Sequence, residues 1–133
     1  MPSVLLDTHI LLWWRLEPER LSQRQVTTLE HLERSRQPVA ISAITLWELA
    51  NLEHLGRIGV AGPVEQWLEE IERNPLVEVL PLTARIVFES VGLGEDFHRD
   101  PADRIIVATA RCHGLQLMTA DRRIRQWGKV PIV

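Results

Sequence analysis

Four carboxylates in this chain fall where chemistry could be done. Asp7, Glu48, Asp103 and Asp121 each lie at, or just after, the hand-over from a short apolar run to a helix. In a small α/β domain those hand-overs sit at the carboxyl edge of a parallel sheet, where open α/β folds bind ligands. Carboxylates gathered at one edge repel one another and call for a cation. A hard divalent metal with oxygen ligands meets that need. The residue types therefore point to metal-dependent chemistry on a phosphate-containing substrate.

Each acid also has a plainer reading. Asp7, Asp100 and Asp121 stand where a helix N-cap belongs, and aspartate is favoured there. In Asp100-Pro101-Ala102-Asp103 the first acid caps, proline takes the first helical position and Asp103 meets the positive helix end. The helix behind them is strongly apolar and hence buried, which aims two carboxylates at its mouth. Thr45 and Glu48 fit a capping box, yet Ser42, Thr45, Glu48 and Leu49 are spaced to share one helix face, and that face leads to the sheet edge. Thr119 closes a strand just before Asp121 and supplies a hydroxyl to a turn or to a site. Singly each reading is a cap; jointly the acids follow different strands that all end at the same edge.

The elements that must position them read as alternating strands and helices. Residues 4–6 form a buried strand, and Asp7-Thr8 opens a helix carrying Ile10, Leu11, Trp13 and Trp14. A second helix is predicted over 19–34, ended by Pro38. Residues 39–41 form the next strand, and Ser42 caps a helix that runs to Gly56 or Gly59. Gly62-Pro63 starts a helix to residue 73, a strand follows over 76–80, and Thr83 caps a short helix with Ile86, Val87 and Val91. After a polar loop over 92–99, the Asp100 helix ends at Gly114. A strand covers 115–118, Asp121 begins a short basic helix, and residues 130–133 are a candidate fifth strand. The alternation predicts a parallel sheet covered on both faces.

The 133 residues suit one domain, spanning 1–133, with a real core. A hydrophobic share of 45% and a charged share of 25% are ordinary for a globular chain. No apolar run nears the ~18–20 residues that cross a bilayer, and the N-terminus lacks the basic region of a secretion signal. Cys112 is the single cysteine, which excludes an internal disulfide and a thiolate zinc cluster and makes a reducing cytoplasm the expected compartment. It is expected deep in an apolar helix. The net charge of −3 argues against bulk nucleic-acid binding, but all basic residues except Lys129 are arginine, which binds phosphate bidentately; base composition of the genome is the other explanation. Arg122, Arg123 and Arg125 follow Asp121 and are candidate RNA contacts, or else a solvated helix face. Arg104 is placed to pair with an acid. His9, His54, His98 and His113 lack metal-ligand spacing and read as structural or surface residues, with His98, close to Asp100, the one to follow.

The ordered set Val4-Leu5-Leu6-Asp7-Thr8, Ser42-x-x-Thr45-x-x-Glu48, Asp100-Pro-x-Asp103-Arg104 and Met118-Thr119-x-Asp121 resembles the PIN domain, specifically the VapC-type toxins of toxin–antitoxin pairs. The resemblance covers essentially the whole chain. It implies a three-layer α/β/α sandwich with a short parallel sheet and a Mg2+- or Mn2+-dependent endoribonuclease. It implies Asp7, Glu48, Asp103 and Asp121 as the acidic metal site, Asp100 as an accessory acid, and Thr8 and Thr119 as polar neighbours. Ala102 stands where some relatives have an aromatic residue. It also implies a homodimer and a VapB-type antitoxin that lays a peptide in a groove and reaches the acids with an arginine. In the expected arrangement Asp7 and Asp103 ligate the metal directly, and Glu48 and Asp121 act through water or a second metal. Adjacent Trp13 and Trp14 cannot share a helix face, so one of them is expected in a groove or interface. A haloacid-dehalogenase-type phosphatase is disfavoured because His9 stands where its second aspartate belongs. A response-regulator receiver is disfavoured by the missing acid pair and late lysine. A binding module whose acids hold only structural metal is the remaining alternative.

Overall fold

The computed structural model describes residues 2–133. Four parallel strands, β1 (Val4–Leu6), β2 (Val39–Ser42), β3 (Val77–Leu80) and β4 (Gln116–Met118), form one sheet in the order β3-β2-β1-β4. The chain moves outward from β1 to β3 and then returns to the other side of β1. That reversal puts the topological switch point between β1 and β4, where a crevice opens at the carboxyl ends of the strands. The Asp7 amide continues the ladder past β1 by donating to the Met118 carbonyl at 2.9 Å.

Strand β1 is buried throughout, as expected for a central parallel strand covered on both faces. Side chains alternate across it. Val4 and Leu6 join a core with Ile10, Leu11, Leu29, Leu49 and Ile71, while Leu5 joins a second core with Phe97, Ile106, Val107, Leu117 and Ile124. The first core packs α1 (Thr8–Leu16), α2 (Gln23–Arg34), α3 (Ala43–His54) and α4 (Val64–Arg73) on one face. The second packs α6 (Pro101–His113) and α7 (Arg122–Trp127) on the other. The short α5 (Ala84–Val91) lies against α6. The result is the three-layer α/β/α architecture expected from the sequence.

Several boundaries differ, each for a local reason. The helix expected over 19–34 is split into a 3-10 turn at Pro18–Arg20 and α2. Ser22 and Gln25 form a reciprocal capping box, the Gln25 amide donating to Ser22 Oγ at 3.1 Å and the Ser22 amide to Gln25 Oε1 at 2.9 Å. The fifth strand reduces to a single parallel bridge from Ile132 to Leu117, which covers the outer edge of β4. Cys112 is half-buried rather than deep. Both Trp13 and Trp14 are half-buried against the first core, each beneath an arginine, Arg20 over Trp13 and Arg15 over Trp14; the exposed tryptophan is Trp47, on α3. Gly114 ends α6 with φ +65°, the left-handed position that glycine fills without strain.

The loop over 92–99, polar in sequence, is anchored. Leu93 and Phe97 are buried. Arg104 does not pair with an acid. Its guanidinium instead donates to four backbone carbonyls, those of His98 (3.0 Å), Ser90 (3.1 Å), Gly94 (2.9 Å) and Phe97 (2.9 Å). These are carbonyls that no sheet or helix partner satisfies, and a five-donor planar fork is suited to collect them.

Candidate metal centre

Asp7, Glu48, Asp103 and Asp121 line one cleft of about 420 Å3, together with Asp100, Thr8, His9, Arg20 and Arg123. The cleft lies at the switch point. Asp7 and Asp121 follow the two strands that flank the reversal, Glu48 comes from the second turn of α3, and Asp103 from the first turn of α6.

Asp7 is 6% exposed. One carboxylate oxygen accepts the Thr8 amide at 2.9 Å, and the other accepts the Thr119 hydroxyl at 2.6 Å. The Thr119 oxygen in turn accepts the Asp121 amide at 3.0 Å. One hydroxyl thus fixes the spacing of two acids from opposite ends of the chain. A second hydroxyl pair serves Glu48. Thr8 donates to Glu48 Oε1 at 2.5 Å, and Thr45 Oγ1 lies 3.1 Å from Thr8 Oγ1. Thr8 has one proton to give, so Thr45 is the donor of that second bond. Ser42 only caps α3, its oxygen accepting the Ile44 amide at 3.2 Å. Asp103 is held by His98, with 2.7 Å between His98 Nε2 and Asp103 Oδ2. Asp100 is exposed and caps α6 through the Ala102 amide at 3.0 Å.

Burial and mutual repulsion set the charges. Burial, then the Asp103 charge, outweighs the Thr119 and Thr8 hydrogen bonds and pushes the Asp7 carboxyl above its ordinary range. Burial, with Asp103, Asp7 and Asp100 adding repulsion, pushes Glu48 up to about 7. Asp103 is also raised, chiefly by burial, against the His98 hydrogen bond. Asp121 differs. Burial would raise it, but hydrogen bonds from the Arg123 side chain and backbone hold it below its usual range. The Arg123 amide meets Asp121 Oδ1 at 2.8 Å and its guanidinium reaches Oδ2 at 3.2 Å. Among the described residues, no arginine or lysine pairs with Asp7, Glu48 or Asp103. The oxygen-rich donor set, three of its four acids without an arginine or lysine partner among the described residues, fits a hard divalent metal.

Of the basic trio after β4, Arg123 lines the cleft, Arg122 is exposed, and Arg125 braces the Thr119 carbonyl at 2.9 Å and 3.2 Å. Sequence reasoning missed Arg20 and left Thr45 and His98 without their partners. Thr45 was placed beside Glu48, as a capping-box partner or on a shared polar face, without its hydroxyl bond to Thr8. Arg20 comes from the 3-10 turn that sequence periodicity did not resolve. His98 is the histidine that sequence reading singled out for its closeness to Asp100, but its bond to Asp103, five residues on across a helix cap, had no ligand spacing to reveal it.

Known proteins resemble this chain along nearly its whole length. Ribonuclease VapC22 of Mycobacterium tuberculosis is 41% identical over 125 residues, covering 94% of this chain and 92% of that protein. The crystal structure of FitAcB from Neisseria gonorrhoeae superposes with a TM-score of 0.65 at 28% identity, over 97% of this chain and 95% of that one. VapBC2 from Rickettsia felis, bound to a promoter DNA fragment, shares the fold with a TM-score of 0.70 at 18% identity, over 98% and 96% of the two chains. The PIN domain model matches residues 4–130, and the chain belongs to the PIN-domain family as a homologue of the VapC ribonucleases.

Proposed function

We propose that this chain is a metal-dependent endoribonuclease and the toxin of a type II toxin–antitoxin pair, cleaving RNA phosphodiester bonds by a metal-activated water. The observation that carries the reading is the cleft that gathers Asp7, Glu48, Asp103 and Asp121, in which burial and mutual repulsion push the first three toward their protonated forms and, among the described residues, no arginine or lysine pairs with them. Asp7 and Asp103 would hold Mg2+ or Mn2+, with Glu48 and Asp121 acting through water or a second ion. A bound divalent ion supplies a hydroxide-like water at neutral pH and offsets charge on the attacked phosphate. The chain's own residues do the rest. Thr8 and Thr119 orient the carboxylates, Thr45 orients Thr8, and Asp100 adds negative potential at the rim. Arg122 and Arg123 hold RNA phosphates, with Arg125 supporting the turn between them and β4. No protein nucleophile is required. The test is cleavage of RNA by the purified chain in chelator, Mg2+ and Mn2+, beside Asp7→Asn. Full cleavage by a folded Asp7→Asn protein would sink the mechanism.

Two surfaces support the expected partners. A groove of about 500 Å3 between α1, the 3-10 turn and the end of α3 shares His9, Trp13 and Arg20 with the acid cleft. A VapB-type antitoxin peptide laid there brings an arginine to the acids. On α5, Val87, Phe88 and Val91 are exposed at 44%, 81% and 77% and adjoin on one helix face. That apolar face suits a homodimer contact. No described helix is long and apolar enough to cross a membrane, and the cytoplasm is where an RNA-cutting toxin and its antitoxin would meet.

A further inference from the structure

We infer that His98 is a nitrogen ligand of the bound metal and biases the site toward Mn2+ over Mg2+. The inference rests on the reading of the acids as a metal site and goes beyond it, because that reading uses oxygen ligands alone. Ligand atoms of His98, Asp103 and Asp121 all lie within 4.8 Å of one another, the spread that a single ion spans. Among the described residues, the three-residue group within that spread contains the imidazole and omits Asp7 and Glu48.

The ring is not there by the accident of a mobile loop. It stacks on Phe97, with centroids 4.4 Å apart and planes 23° apart, and Phe97 is 2% exposed. The His98 and Phe97 carbonyls are both held by Arg104, from the helix that carries Asp103. Ring and carboxylate are therefore positioned by one rigid unit, the arrangement that a metal ligand needs. Without a cation the Nε2 proton serves the Asp103 hydrogen bond. To ligate, the imidazole carries its proton on Nδ1 and turns the Nε2 lone pair to the ion. Arg123 leaves Asp121 at the same time, and its largely exposed side chain is free to do so. Mg2+ favours oxygen and keeps its waters, whereas Mn2+, which takes the same carboxylate and water ligands but is a first-row transition ion, gains more than Mg2+ from one imidazole.

The test is pulsed electron paramagnetic resonance on untagged full-length protein loaded with Mn2+ in nitrogen-free buffer, reading 14N modulation of the echo. The wild type should show one directly bonded nitrogen. His98→Gln should lose that coupling while still binding Mn2+, with affinity lowered at least about tenfold and Mg2+ affinity changed far less. Mn2+ bound at one equivalent without 14N coupling in the wild type overturns the inference and leaves the carboxylate site intact. Coupling that persists in His98→Gln but disappears in His9→Gln, the other imidazole lining the cleft, assigns the nitrogen to His9 and also overturns it. Failure of Mn2+ and Mg2+ to bind at all, read by calorimetry on the same samples, overturns the metal-site reading itself.

Discussion

Replacing Glu48 by glutamine should make the metal-free protein more stable above neutral pH. In the folded state burial and the neighbouring acids lift this carboxyl from 4.5 to about 7. Between those values the folded protein keeps a proton that the unfolded chain has lost. Stability therefore falls as pH rises through that window, and above about 7 the full cost of an ionised, half-buried Glu48 is present. At about 1.4 kcal/mol per pKa unit the whole displacement would correspond to ~3 kcal/mol. Glu48 is only half-buried, so solvent screening reduces this to about 1–2 kcal/mol. For a chain of this length that is a rise in Tm of roughly 3–8 °C. Glutamine retains an oxygen to accept the Thr8 hydroxyl and removes only the charge. The assay is thermal unfolding in chelator at pH 5 and pH 8. Wild-type Tm should drop between the two, and Glu48→Gln should drop less and exceed the wild type at pH 8. Asp7 and Asp103, also raised, account for the slope that remains. A Glu48→Gln protein no more stable than wild type at pH 8 would refute the electrostatic argument. With Mn2+ present the order should reverse, since the cation needs the charge.

The other expectations are narrower. Thr119→Val removes the hydroxyl that spaces Asp7 and Asp121 and should weaken metal binding about 10- to 100-fold, measured by calorimetry; unchanged affinity would mean that the carboxylates hold position unaided. Arg104→Ala should cost about 2–4 kcal/mol in denaturant unfolding, since it strands four carbonyls, and Arg104→Lys should recover little of that because a point charge cannot span them. Arg122→Gln with Arg123→Gln should lower the slope of log RNA affinity against log salt by about 1–2; an unaltered slope would make that helix face merely solvated. Phe88→Asp should shift the chain to monomer in sedimentation without changing its fold, and a wild type that is monomeric at high concentration would remove the dimer reading.

The legibility of the chain followed the range of its interactions. Strand and helix order was readable because β1, β2 and the α6 helix are apolar runs bounded by Asp7, Ser42, Asp100 and Gly114, each a local punctuation mark. The gathering of the acids was readable because a parallel sheet brings its strand ends to one edge. What escaped depends on contacts across the fold. Nothing local says that Arg104 turns away from Asp103 to hold the 92–99 loop, since its partners are backbone carbonyls in that loop and at the end of α5. His98 stood out only for its closeness to Asp100, and its bond to Asp103 was hidden because a loop and a helix cap intervene. The split before α2 was visible in Ser22-x-x-Gln25 but masked by a continuous helical periodicity. The terminal bridge at Ile132 depends on β4 having an open edge, a property of sheet order rather than of residues 130–133.

The bond from Thr119 to Asp7 joins residues 112 positions apart, and β4 makes its strand ladder with β1. A chain emerging from the ribosome can therefore pair β1 with β2 and build α1 to α4 long before it owns a cleft. Contacts of such long range close late in folding. Until residue 121 is free, Asp7 lacks its threonine, β1 lacks its second neighbour, and two of the four acids are not paired with the others. An enzyme that cuts RNA would then stay harmless through nearly the whole of its own translation, its timing written into the order of the strands.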